Sequence, residues 1–180
     1  MSRPRILIAG IGNIFIGDDA FGCEVAQRLA QTALPADVRV VDYGIRGIDL
    51  AYALMDGYES VILVDAVPRG EAPGTLFVIE PELNDDDSAA AVPMIDMHNL
   101  DPAKVLQLAR AYGGRLQQVL LVGCEPAAIG DAGEPPPSMS ESVRSAISAA
   151  VELVQSLVEQ LLAADRNGPL EARSTQLARR

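Results

Sequence analysis

The chain alternates between short, continuously apolar runs and longer stretches where apolar residues recur every three or four positions. "RILIAG" (Arg5 to Gly10) is the first run. Apolar residues without polar interruption are what a strand buried on both faces shows. Phe21, Val25 and Leu29 then repeat at helical spacing and predict a helix over about residues 19–32. "VRVVDY" (Val38 to Tyr43) reads as a second strand, followed by a short helix with Ile48, Tyr52 and Met55 on one face. "SVILVDAV" (Ser60 to Val67) is a third strand, and "TLFVIE" (Thr75 to Glu80) is a fourth, close behind the turn "PRGEAPG". A connection that short permits an antiparallel neighbour but no parallel crossover. An acidic, alanine-rich loop over 81–97 leads to a helix from about Asp101 to Tyr112, and "QQVLLVG" is the fifth strand. In the last helix, Ser138 and Glu141 have capping-box spacing, and Val143, Ile147, Val151, Val154, Val158 and Leu161 make one apolar stripe.

Strands alternating with helices predict an α/β fold. The expected form is a three-layer sandwich: a mostly parallel, five-stranded twisted sheet with one antiparallel strand, the fourth being the candidate, and helices on both faces. The helical period is lost near Asp165, so residues 1–165 are expected to form a single domain and 166–180 a disordered tail.

In an open parallel sheet, ligands bind outside the C-terminal ends of the strands. That edge is where the chain places its polar residues. The first strand runs into Gly10-Ile11-Gly12-Asn13 and then Asp18 and Asp19; the second ends at Asp42, Gly44, Arg46 and Gly47; the third carries Asp65. An aspartate inside an apolar run is costly unless paired, hydrogen-bonded or bound to a metal. Asp18 and Asp19 stand where a helix begins, and one carboxylate there suffices as a cap. The second is surplus, and two adjacent acids repel unless a cation is near. His98, the one histidine of the chain, lies in "MIDMHNLDP" before a helix. With Asp19 and Asp65 it would give one nitrogen and two oxygen donors, leaving open positions of the catalytic kind. Such donors suit nickel, manganese, iron or zinc alike.

The 180 residues suit one domain with a single sizeable core. A net charge of −11 argues against nucleic acid or an anionic membrane as partner. No window of about eighteen uninterrupted apolar residues occurs, and the basic N-terminus leads to a glycine turn rather than a cleavage site, so a cytoplasmic protein is expected. Cys23 and Cys124 each sit in an apolar segment and read as small buried hydrophobes.

A nucleotide-binding reading of the glycine turn fails, because Phe15 stands where the G-x-G-x-x-G fingerprint needs its third glycine, and two acids would repel a pyrophosphate. "GIGNIFIGDDAFG", "DYGIRG", "VILVDAV", the single histidine in "DMHNLDP" and "LLVGCEP", in that order, resemble the [NiFe]-hydrogenase maturation endopeptidases over roughly residues 5–162. The resemblance implies an enzyme that removes a C-terminal extension from the precursor of the hydrogenase large subunit after nickel insertion. It implies Asp19, Asp65 and His98 as metal-contacting residues acting on nickel carried by the substrate, with no organic cofactor. It also associates the loops around Gly12, Asn13, Asp42, Gly44, Arg46 and Gly47 with recognition of the precursor. Two positions depart from the common pattern: Ala20 replaces a glycine after the acids, and "DYGIRG" replaces "DGGT-x-G". Two alternatives stay open on sequence, a metal-dependent hydrolase of another substrate and a non-catalytic chaperone that senses metal in its partner.

Overall fold

The computed structural model of the chain describes residues 4–81, 102–114, 117–127 and 138–166. Its sheet has five strands, β1 (Ile6–Ile11), β2 (Val38–Gly44), β3 (Ser60–Ala66), β4 (Leu76–Ile79) and β5 (Gln118–Cys124), in the order β2-β1-β3-β5-β4. β1 pairs in parallel with β2 and β3, β3 with β5 likewise, and β4 runs antiparallel to β5. Among the described residues, four α-helices, α1 (Phe21–Ala30), α2 (Gly47–Leu54), α3 (Pro102–Ala111) and α4 (Glu141–Arg166), connect and cover these strands, and a 3-10 turn spans Gly17–Ala20.

Every residue of the central strands β1 and β3 is buried, which is why both are dominated by apolar residues, Ser60 and Asp65 being the polar exceptions in β3. Alternate side chains serve opposite faces. Ile6, Ile8, Ile62, Val64, Leu120 and Val122 pack under α1 and α4, with Phe21, Val25, Leu29, Ile147 and Val154. Leu7, Ala9, Val61, Leu63, Val119 and Leu121 pack under α2 and α3, with Leu50, Leu54, Val105 and Ala109. Helices on both faces give the three layers expected from sequence.

β4 is antiparallel as expected, because residues 67–75 cannot hold a crossover. Its partner, however, is β5, since β1 and β5 already occupy both edges of β3. In α2 the buried face is Gly47, Leu50, Ala51 and Leu54, whereas Tyr52 and Met55 are exposed. The helix is apolar almost all round, so its period cannot choose a face; packing on Tyr43 and Leu63 does. The cap of α4 is Ser140, whose hydroxyl accepts the N–H of Val143 at 3.4 Å, and not Ser138. Glu141–Ala164 is long and apolar enough on length and composition to cross a membrane. Its buried residues form a single stripe on the sheet, and Glu141, Arg144, Glu152 and Glu159 stand exposed around the rest. The 167–180 segment lies outside the described residues.

Candidate active site

The strand order places a topological switch between β1 and β3: the chain leaves β1 toward β2 on one side and returns to β3 on the other. Ligand crevices form at that point because the connections diverge there. Asp19 follows β1 and Asp65 is the penultimate residue of β3, so connectivity puts both candidate acids at this edge of the sheet.

Two glycines bring them there. At Gly12 φ is +129°, a backbone state open essentially to glycine, and a Cβ would run into the carbonyl of Asp19. Gly22 lies in the first turn of α1 against the carbonyls of Val64 and Ile11, so helix and strand ends meet backbone to backbone. The glycine absent at position 15 is thus supplied at 22, where it seats a helix rather than a phosphate.

With the turn so placed, Asp19 Oδ2 accepts the N–H of Asn13 at 2.8 Å, and Asn13 Oδ1 accepts the N–H of Phe15 at 3.0 Å. Burial raises the Asp19 carboxyl above its ordinary range, against the lowering effect of the Asn13 N–H. Asp65 is 7% exposed, and its Oδ1 accepts the N–H of Ala66 at 2.8 Å. Asp42 accepts Gln27 Nε2 at 2.9 Å.

The buried thiol of Cys23 feels the charge of all three acids. Burial, then Asp42, then the charges of Asp19 and Asp65 all push it far above the usual thiol range. Its Sγ donates to the carbonyl of Gly12 at 3.4 Å. Cys124 is raised to about 11 by burial, Asp18 and Glu125. Both stay protonated thiols at neutral pH and are poor nucleophiles.

The expected recognition loops also come together. The N–H of Gly12 donates to the carbonyl of Gly44 at 3.2 Å, and Gly12, Asn13, Asp42, Gly44 and Arg46 line one cavity of about 300 Å³ rimmed by exposed Ile14, Phe15 and Ile45. Arg46 is engaged locally: it donates to the carbonyls of Asp42 and Tyr43, lies over the Tyr43 ring at 6.0 Å and approaches Asp49 at 3.9 Å. Gly47 is buried at the start of α2. His98 lies outside the described residues. Among the described residues no three His, Cys, Asp or Glu side chains are grouped to hold a metal ion.

Glu125 was missed from sequence. It is 5% exposed, and its carboxylate accepts the N–H groups of Arg69 at 2.7 Å and Gly70 at 3.1 Å, shaping the turn that follows β3 beside Asp65. An acid directly after an apolar strand was the available signal, whereas Asp65 was marked as an acid within one.

Residues 23–157 match the model of a family described as hydrogenase maturation protease, HycI. The chain belongs to that family. This maturation protease is 34% identical over 151 residues to the hydrogenase expression/formation protein HupD of Rhodobacter capsulatus, covering 82% of this chain and 70% of that one. It is 32% identical over 170 residues to the hydrogenase 2 maturation protease of Escherichia coli, covering 93% and 94%. Among solved structures, the maturating endopeptidase HybD of E. coli superposes with a TM-score of 0.66 at 26% identity, over 87% of this chain and 93% of that one. A hydrogenase 2 maturation peptidase from a Thaumarchaeota archaeon gives 0.65 at 35% identity, over 86% and 98%. The chain is accordingly an endopeptidase of hydrogenase maturation, and its sheet is the one those proteases share.

Proposed function

We propose that this maturation protease removes the C-terminal extension of a [NiFe]-hydrogenase large-subunit precursor once nickel has been inserted, and that it recognises the nickel through Asp19, Asp65 and His98. The observation that carries the reading is the strand order, which sets the turn after β1 that bears Asp19 and the end of β3 that bears Asp65 on the two sides of the switch point. Asp19 supports it energetically. Burial disfavours its charged form, and an approaching divalent cation would offset that cost. Nickel here is part of the substrate, and donors on the precursor complete its coordination.

The chain's own residues then orient the peptide. The groove between the Gly12–Phe15 and Asp42–Arg46 loops is open to an extended segment, with Ile14, Phe15 and Ile45 giving it apolar edges. The raised thiols argue against an acyl-enzyme on Cys23 or Cys124, so the reading assigns cleavage to attack by water. Two thiols described as free and buried agree with a cytoplasmic site of action.

The test mixes the protein with nickel-loaded and nickel-free precursor and reads intact masses. Loss of a C-terminal peptide from the nickel-loaded form alone is the expected result. Loss from both forms would overturn nickel as the recognition signal, and loss from neither would overturn the proposal as a whole.

A further inference from the structure

The paired acids differ in burial: Asp18 is buried, whereas Asp19 is partly exposed. Asp18 is 2% exposed, and its hydrogen-bond partners differ from that of Asp19. Its Oδ1 accepts the N–H of Ser140 at 2.7 Å, and its Oδ2 accepts the N–H of Ala127 at 2.8 Å and the hydroxyl of Ser140 at 3.0 Å. The hydroxyl of Ser140 also caps α4 through Val143. In a capping box a glutamate three residues into the helix reaches back to the N-cap N–H. Here that place is held by Val143, and Asp18 supplies the acceptor from 122 residues away.

The turn that carries both acids has little local support. It is a four-residue 3-10 segment with no side-chain cap at its start, and such short pieces depend on their surroundings. Asp18 ties this turn both to the connection after β5 and to the first turn of α4, while the neighbouring residue, Asp19, holds the Asn13 N–H.

We infer that Asp18 is a positioning residue: its clamp on Ala127 and Ser140 fixes the Gly17–Ala20 turn and thereby aims the Asp19 carboxylate into the crevice. The consequence for processing rests on the function proposed above; the coupling between the two acids does not.

Hydrogen exchange of the Asn13 N–H, read by NMR on the full chain, tests the coupling directly. Asp18→Asn keeps the shape but turns an amide NH₂ toward groups that are themselves donors. Protection of the Asn13 N–H should fall at least about tenfold, toward the value in Asp19→Asn, while Ile8 and Leu63 in the central strands stay within about threefold of wild type. Ser140→Ala, which removes one of the three bonds, should fall between wild type and Asp18→Asn. The double variant Asp18→Asn/Asp19→Asn should match Asp19→Asn alone. Unchanged protection at Asn13, or an equal fall at Leu63, would overturn the inference. In the cleavage assay Asp18→Asn should lose about tenfold in kcat with KM within about twofold. A wild-type protein that cleaves no precursor would sink the proposed function and leave the exchange result standing.

Discussion

Gly22→Ala sets two effects of known size against each other. In an exposed helix interior, alanine for glycine stabilises by about 0.8–1 kcal/mol. In α1 the added Cβ would lie closer than 3.0 Å to Val64 O, Ile11 O and Ile11 N. Those atoms are main chain of the two central strands, which cannot rotate away as a side chain would. Overpacking of a tight core costs about 1–3 kcal/mol, and the rigid partners put this site at the upper end. The net expectation is destabilisation by about 2 kcal/mol, which for a chain of this size lowers Tm by about 4–8 °C. Because α1 must lift from the ends of β1 and β3, the preceding turn lifts with it, so cleavage should fall even at temperatures where the variant is fully folded. Urea and thermal unfolding give the first quantity and the precursor assay the second. Gly57→Ala is the control: φ is +78° there with nothing within 4 Å of the new Cβ, so only backbone strain is added, about 1 kcal/mol. A Gly22→Ala protein as stable as wild type would refute the backbone-to-backbone seating of α1.

Asp65→Asn should retain the fold, with Tm within a few degrees of wild type, and lose about 100-fold in cleavage; full activity would remove Asp65 from the site. Cys23→Ala should still cleave precursor, at a stability cost of about 1 kcal/mol, and loss of a covalent intermediate by mass would be the contrary finding. In Glu125, burial works to raise the pKa, but the N–H groups of Arg69, Glu71 and Gly70 outweigh it and hold the carboxyl below its ordinary 4.5. A depressed folded-state value contributes stability that is present above pH 4.5 and is lost as pH falls through the folded value. Glu125→Gln should therefore be less stable than wild type at neutral pH, with the two Tm curves converging in acid; parallel curves would refute this. If neutral His98 contacts the metal, cleavage should weaken as pH falls through about 6.5, and a rate flat to pH 5 would exclude it.

Much of this protein was legible in order along the chain. Apolar runs marked β1, β3 and β5 because a strand covered on both faces admits few polar positions, of which Asp65 is one. The stripes of α1 and α4 showed their buried faces, since each helix has one wet side. The placement of Asp19, Asp42 and Asp65 at one sheet edge followed from parallel connectivity alone. What the chain could not show were choices made by distant partners. α2 is apolar apart from Asp49, so its packing on Tyr43 and Leu63 selects Leu50 and Leu54 over Tyr52 and Met55. β4 pairs with β5 because the edges of β3 are taken, a fact of sheet order rather than of local sequence. Asp18 and Asp19 are chemically identical neighbours. What separates clamp from crevice residue is Ala127 and Ser140, which lie 109 and 122 positions away and meet Asp18 only when the sheet and α4 have closed around it.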